Sequence, residues 1–190
     1  MVNLIFIRHA QTELNKEGIF TGRTDCSITK EGFEQAKEIL KNDEKNFDHI
    51  YCSPLKRTKQ TLDAIIPNSE PIIDERITEI SIGEWEGKKK ESFDKTLVAL
   101  YRIGQYTPPG AETTTQVDKR VCNFIKGLFD TYKHNEKILI VTHNGVMRSI
   151  KRNFVKSYNN IMSENLERIL LTDEDYKDYL KRIKDKENTR

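Results

Sequence analysis

The stretch LIFIRHAQTELN, Leu4 to Asn15, decides the fold. Four apolar residues, Leu4, Ile5, Phe6 and Ile7, run directly into Arg8 and His9, and a polar stretch with Gln11, Thr12, Glu13 and Asn15 follows. A short apolar run bounded by polar residues predicts a buried strand, most readily in a parallel sheet covered on both faces. Such a strand ends by delivering an arginine and a histidine to the carboxyl edge of the sheet, where open α/β sheets bind ligands. The pattern recurs in KILIVTHNG, Lys137 to Gly145, a second apolar strand, which ends in His143. A lone histidine after a strand is ordinarily a turn or surface residue. The chain has four histidines, His9, His49, His134 and His143, and two of them at matched strand ends point to one site.

The bulk properties narrow the classes. A length of 190 residues suits one sizeable core, so a single α/β domain over 1–190 is expected, with 173–190 a charged C-terminal helix or tail. Lysine plus arginine total 32 against 30 aspartates and glutamates, a net charge of +2. That balance argues against a nucleic-acid partner, which calls for a basic face or arm. Cys26, Cys52 and Cys122 are odd in number, widely spaced and without a CxxC pair, which suits reduced residues in a cytoplasmic protein. No basic leader precedes a long apolar segment, and no apolar run nears the roughly 20 residues of a membrane span. A cytoplasmic protein with no membrane partner is the expectation.

Along the chain, Thr12 to Ser27 reads as a long polar loop over the strand end, a length that in compact domains is often functional. Thr29 caps a helix with Phe33, Ala36, Ile39 and Leu40 at helical spacing. Phe47 to Ser53 predicts the second strand, with His49 facing outward. Ser53 and Pro54 suit a helix start, serine as cap and proline at the first helical position, with Leu55, Thr58, Leu62 and Ile65 on the buried face. The first turns carry Lys56, Arg57 and Lys59, the wrong sign for a helix amino terminus, which favours negative charge by roughly 0.3–1 kcal/mol per group. A chance solvated cluster would account for them; an anion held there by free N–H groups and a cation is favoured, because the strand before this helix reaches the same sheet edge.

Pro71 to Asp74 reads as a short third strand. It leads into ERITEISIGEWEG, where Glu75, Glu79, Glu84 and Glu86 lie among Ile77, Ile80, Ile82 and Trp85. A carboxylate among apolar side chains tends towards a raised pKa, as a proton donor needs, but the residues alone do not select one glutamate. Lys88 to Tyr101 predicts a helix, and Gly104 to Glu112, with Pro108, Pro109 and Gly110, a rigid loop that could form a rim. Thr113 and Gln116 make a capping box for a helix whose stripe is Val117, Val121, Phe124 and Leu128. After the His143 strand, Val146, Met147, Ile150 and Phe154 mark another helix, with Arg148, Lys151 and Arg152 on its flanks. Leu166 to Leu171 fits a strand or a helix. Tyr176, Leu180 and Ile183 predict an amphipathic helix that packs back on the domain or meets a partner, a second copy (a homodimer) included.

RHAQTELN, SPLKRT, EISIGEWEG and VTHNG occur in that order between Val2 and about Phe154, and together they resemble the histidine phosphatase superfamily, the phosphoglycerate mutase-like family. IFTGRTDCSITKEG is similar to its phosphate-loop segment and PPGAETTTQVDKRV to the segment ahead of its long helix. The resemblance implies a three-layer α/β/α sandwich around a mostly parallel sheet. By residue-to-residue matching it implies His9 as the nucleophile that becomes phosphohistidine, with Arg8, Arg57 and His143 around the transferring phosphoryl group. It further implies a hydrogen bond from Asn15, substrate contact at Thr21 and Gly22, and Glu79 as proton donor and later base. Ala10 and Asn144 stand where the family often has glycine, and Asn144 would alter a backbone contact to phosphate.

Chemistry supports those roles. A nucleophilic histidine must be neutral, and neighbouring arginines disfavour its protonation. Fixed cations balance the charge on the phosphoryl oxygens without a metal, and no His/Asp/Glu set has metal-ligand spacing, so neither metal nor cofactor is expected. The implied activity is a metal-independent phosphomonoesterase, of the histidine acid phosphatase type, acting on a small phosphorylated metabolite. A cofactor-dependent phosphoglycerate mutase shares the site. Mutases of the family usually carry a longer insertion between the SPLKRT helix and the acidic segment, whereas Ile65 to Arg76 is short here. A phospho-ligand-binding module without turnover is the alternative from another class, and a protein phosphatase would need a peptide groove.

Overall fold

A computed structural model describes every residue except Lys41, His134, Asn159, Thr189 and Arg190, and the side chains of Asn42 and Asp43 are also left aside. His134 and the last two residues of the tail therefore lie outside the described residues. The strands are β1 (Asn3–Arg8), β2 (His49–Cys52), β3 (Ile72–Ile73), β4 (Lys137–Thr142) and β5 (Arg168–Thr172). The helices are α1 (Glu13–Lys16), α2 (Lys30–Lys37), α3 (Lys56–Ile65), α4 (Lys95–Ile103), α5 (Thr114–Thr131), α6 (Asn144–Phe154) and α7 (Asp173–Asn188). The sheet runs β3-β2-β4-β1-β5, parallel throughout except for β5, which pairs antiparallel with β1.

Alternation along the strands builds the two outer layers. Leu4, Phe6, Ile138 and Ile140 point into the core shared with Val121, Phe124 and Ile125 of α5 and Val146 and Ile150 of α6. Ile7, Leu139, Val141 and Cys52 point the other way, onto Ala36 beneath α2 and Leu62 and Ile65 of α3. Central strands covered on both faces explain why β1 and β4 are continuous apolar runs in sequence. The edge strand β5 instead alternates, with Ile169 and Leu171 buried and Leu170 at 57% exposure, which settles Leu166 to Leu171 in favour of a strand.

Local signals place most helix starts. Thr29 accepts from Gly32 N–H at 2.9 Å, and Thr113 with Gln116 forms the reciprocal capping box at the head of α5. Three expectations are corrected. The polar stretch after β1 is not all loop: Thr12 and Asn15 exchange hydrogen bonds as a capping box and start the single turn α1. Lys88 to Tyr101 is broken into a 3-10 turn, Lys90–Ser92, and α4, because the Asp94 side chain accepts from Leu97 N–H and starts a new helix there. Ser53 does not cap α3, whose N-cap residue is Leu55 with no side-chain bond; the Lys56 N–H is taken by Asp25 Oδ1 at 2.7 Å.

The tail helix packs back on the domain. Tyr176 stacks on Phe129 at 4.5 Å between ring centroids, and Tyr179 meets Phe154 at 4.3 Å. Asp173, Glu174 and Asp175 in its first turn suit the positive end of the helix. No helix among the described residues is long and apolar enough to cross a membrane. Phe124, fully buried and edge-on to Tyr51 at 5.4 Å, joins α5 to the sheet. Phe124→Ala is expected to destabilise the fold by about 3–5 kcal/mol, read from the midpoint of urea unfolding.

Candidate active site

Register brings the two histidines together. Arg8 lies opposite Thr142 in the parallel β1–β4 ladder, so the next residue on each strand, His9 and His143, leaves the sheet at the same level. Their ring centroids are 5.3 Å apart with planes at 59°. The His9 N–H also donates to Thr142 O at 2.9 Å, continuing the pairing one residue past the strands. Both rings are buried, His9 at 3% and His143 at 0% exposure.

His9 Nδ1 lies 2.7 Å from the carbonyl oxygen of Ala10. A carbonyl only accepts, so Nδ1 carries the ring proton and Nε2 keeps a free lone pair. The Ala10 N–H is held by Thr61 Oγ1 at 2.9 Å, and the Thr61 hydroxyl donates to Arg57 O at 2.6 Å, so α3 fixes the peptide that orients the ring.

A cavity of about 160 Å³ opens beside His9. Its walls include Arg8, Asn15, Thr21, Gly22, Arg57, Glu79, Asn144 and Gly145. It is small against the roughly 300–1,000 Å³ of sites for drug-sized ligands. Lys90, Tyr101, Arg148 and Met162 complete the polar and upper walls. Four side-chain cations thus face one carboxylate.

The three guanidinium groups among them are held by carbonyls. Arg57, 1% exposed, donates to Thr24 O and Gly22 O, each at 2.8 Å. Arg8 Nη1 donates to Ser163 O, and Arg148 Nη2 to Tyr101 O at 2.9 Å. The Nε atoms of Arg8, Arg57 and Arg148 are buried without a hydrogen-bond partner. Carbonyls orient a guanidinium without neutralising it, which leaves its full charge to an anion. Burial first, then Arg8 and Arg102, pushes the Lys90 ammonium below its usual range.

Glu79 sits in the extended stretch between two 3-10 turns. Its Oε1 accepts from its neighbour Ile80 N–H and from Gly145 N–H, both at 2.8 Å. Both bonds fall on one oxygen, so Oε2 is the oxygen on which a proton can be carried. A side chain at Gly145 would bring its Cβ within 2.4 Å of Oε1, so only glycine permits that approach. The backbone here is clamped from outside: Arg120 Nη1 donates to Arg76 O and Thr78 O at 2.7 Å each, and Arg23 Nε donates to Glu79 O at 3.0 Å.

The remaining sequence-predicted residues fall as follows. Asn15 lines the cavity, and its Oδ1 accepts from Thr12 N–H and from Asn165 Nδ2, each at 3.3 Å. Thr21 lines the wall, while Gly22, at φ +51°, turns its carbonyl onto Arg57. The Asn144 side chain accepts from Ser163 N–H at 2.9 Å and so ties down the segment that carries Met162. His143 stands behind the wall, with Nε2 2.7 Å from Ser53 Oγ and Nδ1 buried without a partner. The basic cluster divides: Arg57 turns inward, Lys56 and Lys59 are exposed, and Asp25 occupies the Lys56 N–H where an anion was expected. The loop Gly104 to Glu112 is absent from the described cavity wall and braces it instead. Pro109 O accepts from Glu84 N–H at 3.0 Å, and Glu112 pairs with Arg120 at 2.7 Å.

Sequence reasoning passed over Ser53, Lys90, Arg120 and Arg148. Arg148 carried a readable signal, since it falls beside Met147 in a helix most of whose residues are buried. Lys151, read as a flank, is also buried, with its Nζ on Asn160 O at 2.9 Å and paired with Glu167. Among the described residues no group of three or more His, Cys, Asp or Glu could hold a metal ion.

Comparison with known proteins identifies the family. The family model described as "Histidine phosphatase superfamily (branch 1)" matches residues 4–186, beyond the Phe154 limit of the motifs. Phosphoserine phosphatase 1 of Hydrogenobacter thermophilus is 32% identical over 158 residues, 79% of this chain and 74% of that protein. A 2,3-bisphosphoglycerate-dependent phosphoglycerate mutase of Rhizobium etli is 31% identical over 166 residues, 80% of this chain and 79% of the mutase. The crystal structure of a phosphoserine phosphatase mutant from Entamoeba histolytica, in complex with phosphoserine, superposes with a TM-score of 0.76 at 25% identity, covering 90% of each chain.

Burial sets a pH dependence. Desolvation first, then the charges of Arg8 and Arg57, hold His9 well below its usual 6.5, and desolvation, Arg57, His9 and Arg8 do the same to His143. Below pH 6.5 the unfolded chain therefore binds protons that the folded chain refuses. The contribution to stability is whole above about pH 7 and falls by up to about 1.4 kcal/mol per pH unit per histidine as the pH drops. Thermal unfolding between about pH 7.5 and 5 is expected to show Tm falling with acid, with a shallower slope in His9→Asn.

Proposed function

The chain belongs to the histidine phosphatase superfamily, and we propose that it is a phosphomonoesterase that hydrolyses a small phosphorylated metabolite through a phosphohistidine on His9. The observation that carries this reading is the Nδ1–H of His9 locked on Ala10 O, which leaves the Nε2 lone pair beside Arg8, Arg57 and Glu79. Nε2 attacks phosphorus and the ester P–O bond breaks. Arg8 and Arg57 bind the phosphoryl oxygens as charge redistributes, and protonated Glu79 gives its proton to the leaving alkoxide. Water then attacks the phosphohistidine, its proton passes to Glu79, and the P–N bond breaks to free His9 and orthophosphate. Every group in this scheme is a side chain or water, so the scheme calls for no metal.

The surplus of cations supports a substrate with a second anionic group. A phosphate monoester dianion offsets two charges, and Lys90 and Arg148 lie in the same cavity, where the one carboxylate, Glu79, is engaged by the N–H groups of Ile80 and Gly145. A carboxylate on the alcohol portion suits them, as in the phosphoserine and phosphoglycerate after which relatives are named. A phosphoglycerate mutase is the second reading, favoured by the mutase-named relative. The short Ile65 to Arg76 connection supports hydrolysis instead. Incubation of 3-phosphoglycerate with a bisphosphoglycerate primer decides between them: orthophosphate release supports the phosphatase, and efficient formation of 2-phosphoglycerate reverses the order.

His9→Ala is expected to abolish hydrolysis of an aryl phosphate and the acid-labile phosphoenzyme together, while a chelator leaves both unchanged. Glu79→Gln is expected to slow alkyl phosphates far more than aryl phosphates, because a phenolate leaves with less protonic help; equal losses on both would remove Glu79 as the acid. Lys90→Met is expected to raise KM for O-phosphoserine by about 10–100-fold, the worth of one charge-assisted hydrogen bond, and to leave KM for an aryl phosphate within about threefold.

A further inference from the structure

His143 takes no proton from anything in the mechanism above, yet its ring is fully buried and touches one side chain through a short bond, Ser53 Oγ to Nε2 at 2.7 Å. Ser53 is itself fully buried. It reaches this place by register: Cys52 pairs with Val141, so Ser53 leaves β2 level with Thr142, one residue short of His143. Its N–H donates to Val141 O at 3.1 Å and its carbonyl accepts from Thr58 Oγ1 at 2.9 Å, so both sides of the residue are fixed.

The direction of the Ser53–His143 bond follows from satisfying each atom. If Nε2 carried the ring proton and donated to Ser53 Oγ, the serine hydroxyl hydrogen would have no acceptor, since among the described residues the other bond to Oγ comes from the Leu55 N–H, a donor at 3.5 Å. The lone pair on Nδ1 would be orphaned as well. If Ser53 donates instead, Oγ accepts from Leu55 and gives its hydrogen to Nε2, and one group is left over, an N–H on Nδ1. The second arrangement leaves one unsatisfied buried group in place of two, which favours it by about 5–150-fold in population. Nδ1 is buried without a hydrogen-bond partner, and the charges of Arg57 and Arg8 that act on the ring belong to guanidinium groups, which cannot accept that N–H.

We propose that Ser53 is a positioning residue that holds His143 in the Nδ1–H tautomer, so that His143 serves as a neutral donor to an oxygen of the phosphoryl group on His9. The assignment rests on the reading of His9 as the phosphoryl acceptor. It gives the phosphoryl group one directed hydrogen bond from an uncharged ring beside two guanidinium groups, and it gives the orphaned Nδ1–H its acceptor when substrate binds. The proton stays on His143 throughout.

The test is a long-range 1H–15N spectrum of the 15N-histidine-labelled protein near pH 7, with His143 identified by its loss in His143→Gln. The expected result is a protonated Nδ1 and an unprotonated Nε2 on His143. Ser53→Ala should shift His143 towards Nε2–H and weaken vanadate binding by about 10–100-fold, the range for one hydrogen bond to a charged group. Ser53→Thr, which keeps the hydroxyl, should restore both. Wild-type His143 protonated on Nε2, or an Ser53→Ala protein with the same tautomer and the same vanadate affinity, overturns the proposal. If Ser53→Ala does not fold, the wild-type tautomer alone decides. Since the tautomer is read without turnover, a protein that releases no phosphate yet shows Nδ1–H on His143 would refute the reaction and leave the role of Ser53 standing.

Discussion

The register of three parallel strands is the constraint on which the rest depends. With Arg8 opposite Thr142 and Cys52 opposite Val141, β1 and β4 end level and β2 one residue earlier, and their next residues, His9, His143 and Ser53, share one edge of the sheet. A slip of one residue in either ladder would turn Phe6, Ile138 and Ile140 out of one core and Ile7, Leu139 and Val141 out of the other. The two apolar layers therefore hold the histidines at 5.3 Å as a by-product of their own packing.

Electrostatics then divides labour around that edge. Burial and arginine charge keep both imidazoles neutral, as a nucleophile and an uncharged donor require. The guanidinium groups are steered by the carbonyls of Gly22, Thr24, Tyr101 and Ser163, which aim their charge without cancelling it. The one carboxylate of the wall, Glu79, is held on its Oε1 by two N–H groups. An anion is thus favoured in the cavity by several fixed cations at once, in a low-dielectric setting where each counts for more than in water.

Legibility followed the same division. The sheet was readable because β1 and β4 are buried on both faces and so appear as unbroken apolar runs, and because α2 and α5 announce themselves with Thr29 and the Thr113–Gln116 pair. The family resemblance of the motifs taken together also picked out Arg8, His9, Arg57, Glu79 and His143, each of which lies at the cavity or directly behind it. What escaped depends on partners distant in sequence. Ser53 looked like a helix cap because serine before proline usually is one; its hydroxyl instead went to His143, 90 residues away. Arg148 and Lys151 looked like surface flanks because charge usually is; carbonyls of Tyr101 and Asn160 made their burial tolerable. The Gly104 to Glu112 loop looked like a rim because prolines stiffen it, and that stiffness serves to brace Glu84 and Arg120 from behind. No local spacing encodes such pairings.

The central claim is that one nitrogen of one ring, Nε2 of His9, accepts phosphorus because Nδ1 is committed to Ala10 O. The most direct measurement is to quench the protein during turnover of an aryl phosphate, keep the product under alkaline conditions, and locate the phosphoryl group by NMR of the isolated peptide. The account predicts a single phosphohistidine, at His9, bonded through Nε2. Phosphate on Nδ1 of His9, on His143 or on any other residue would contradict it.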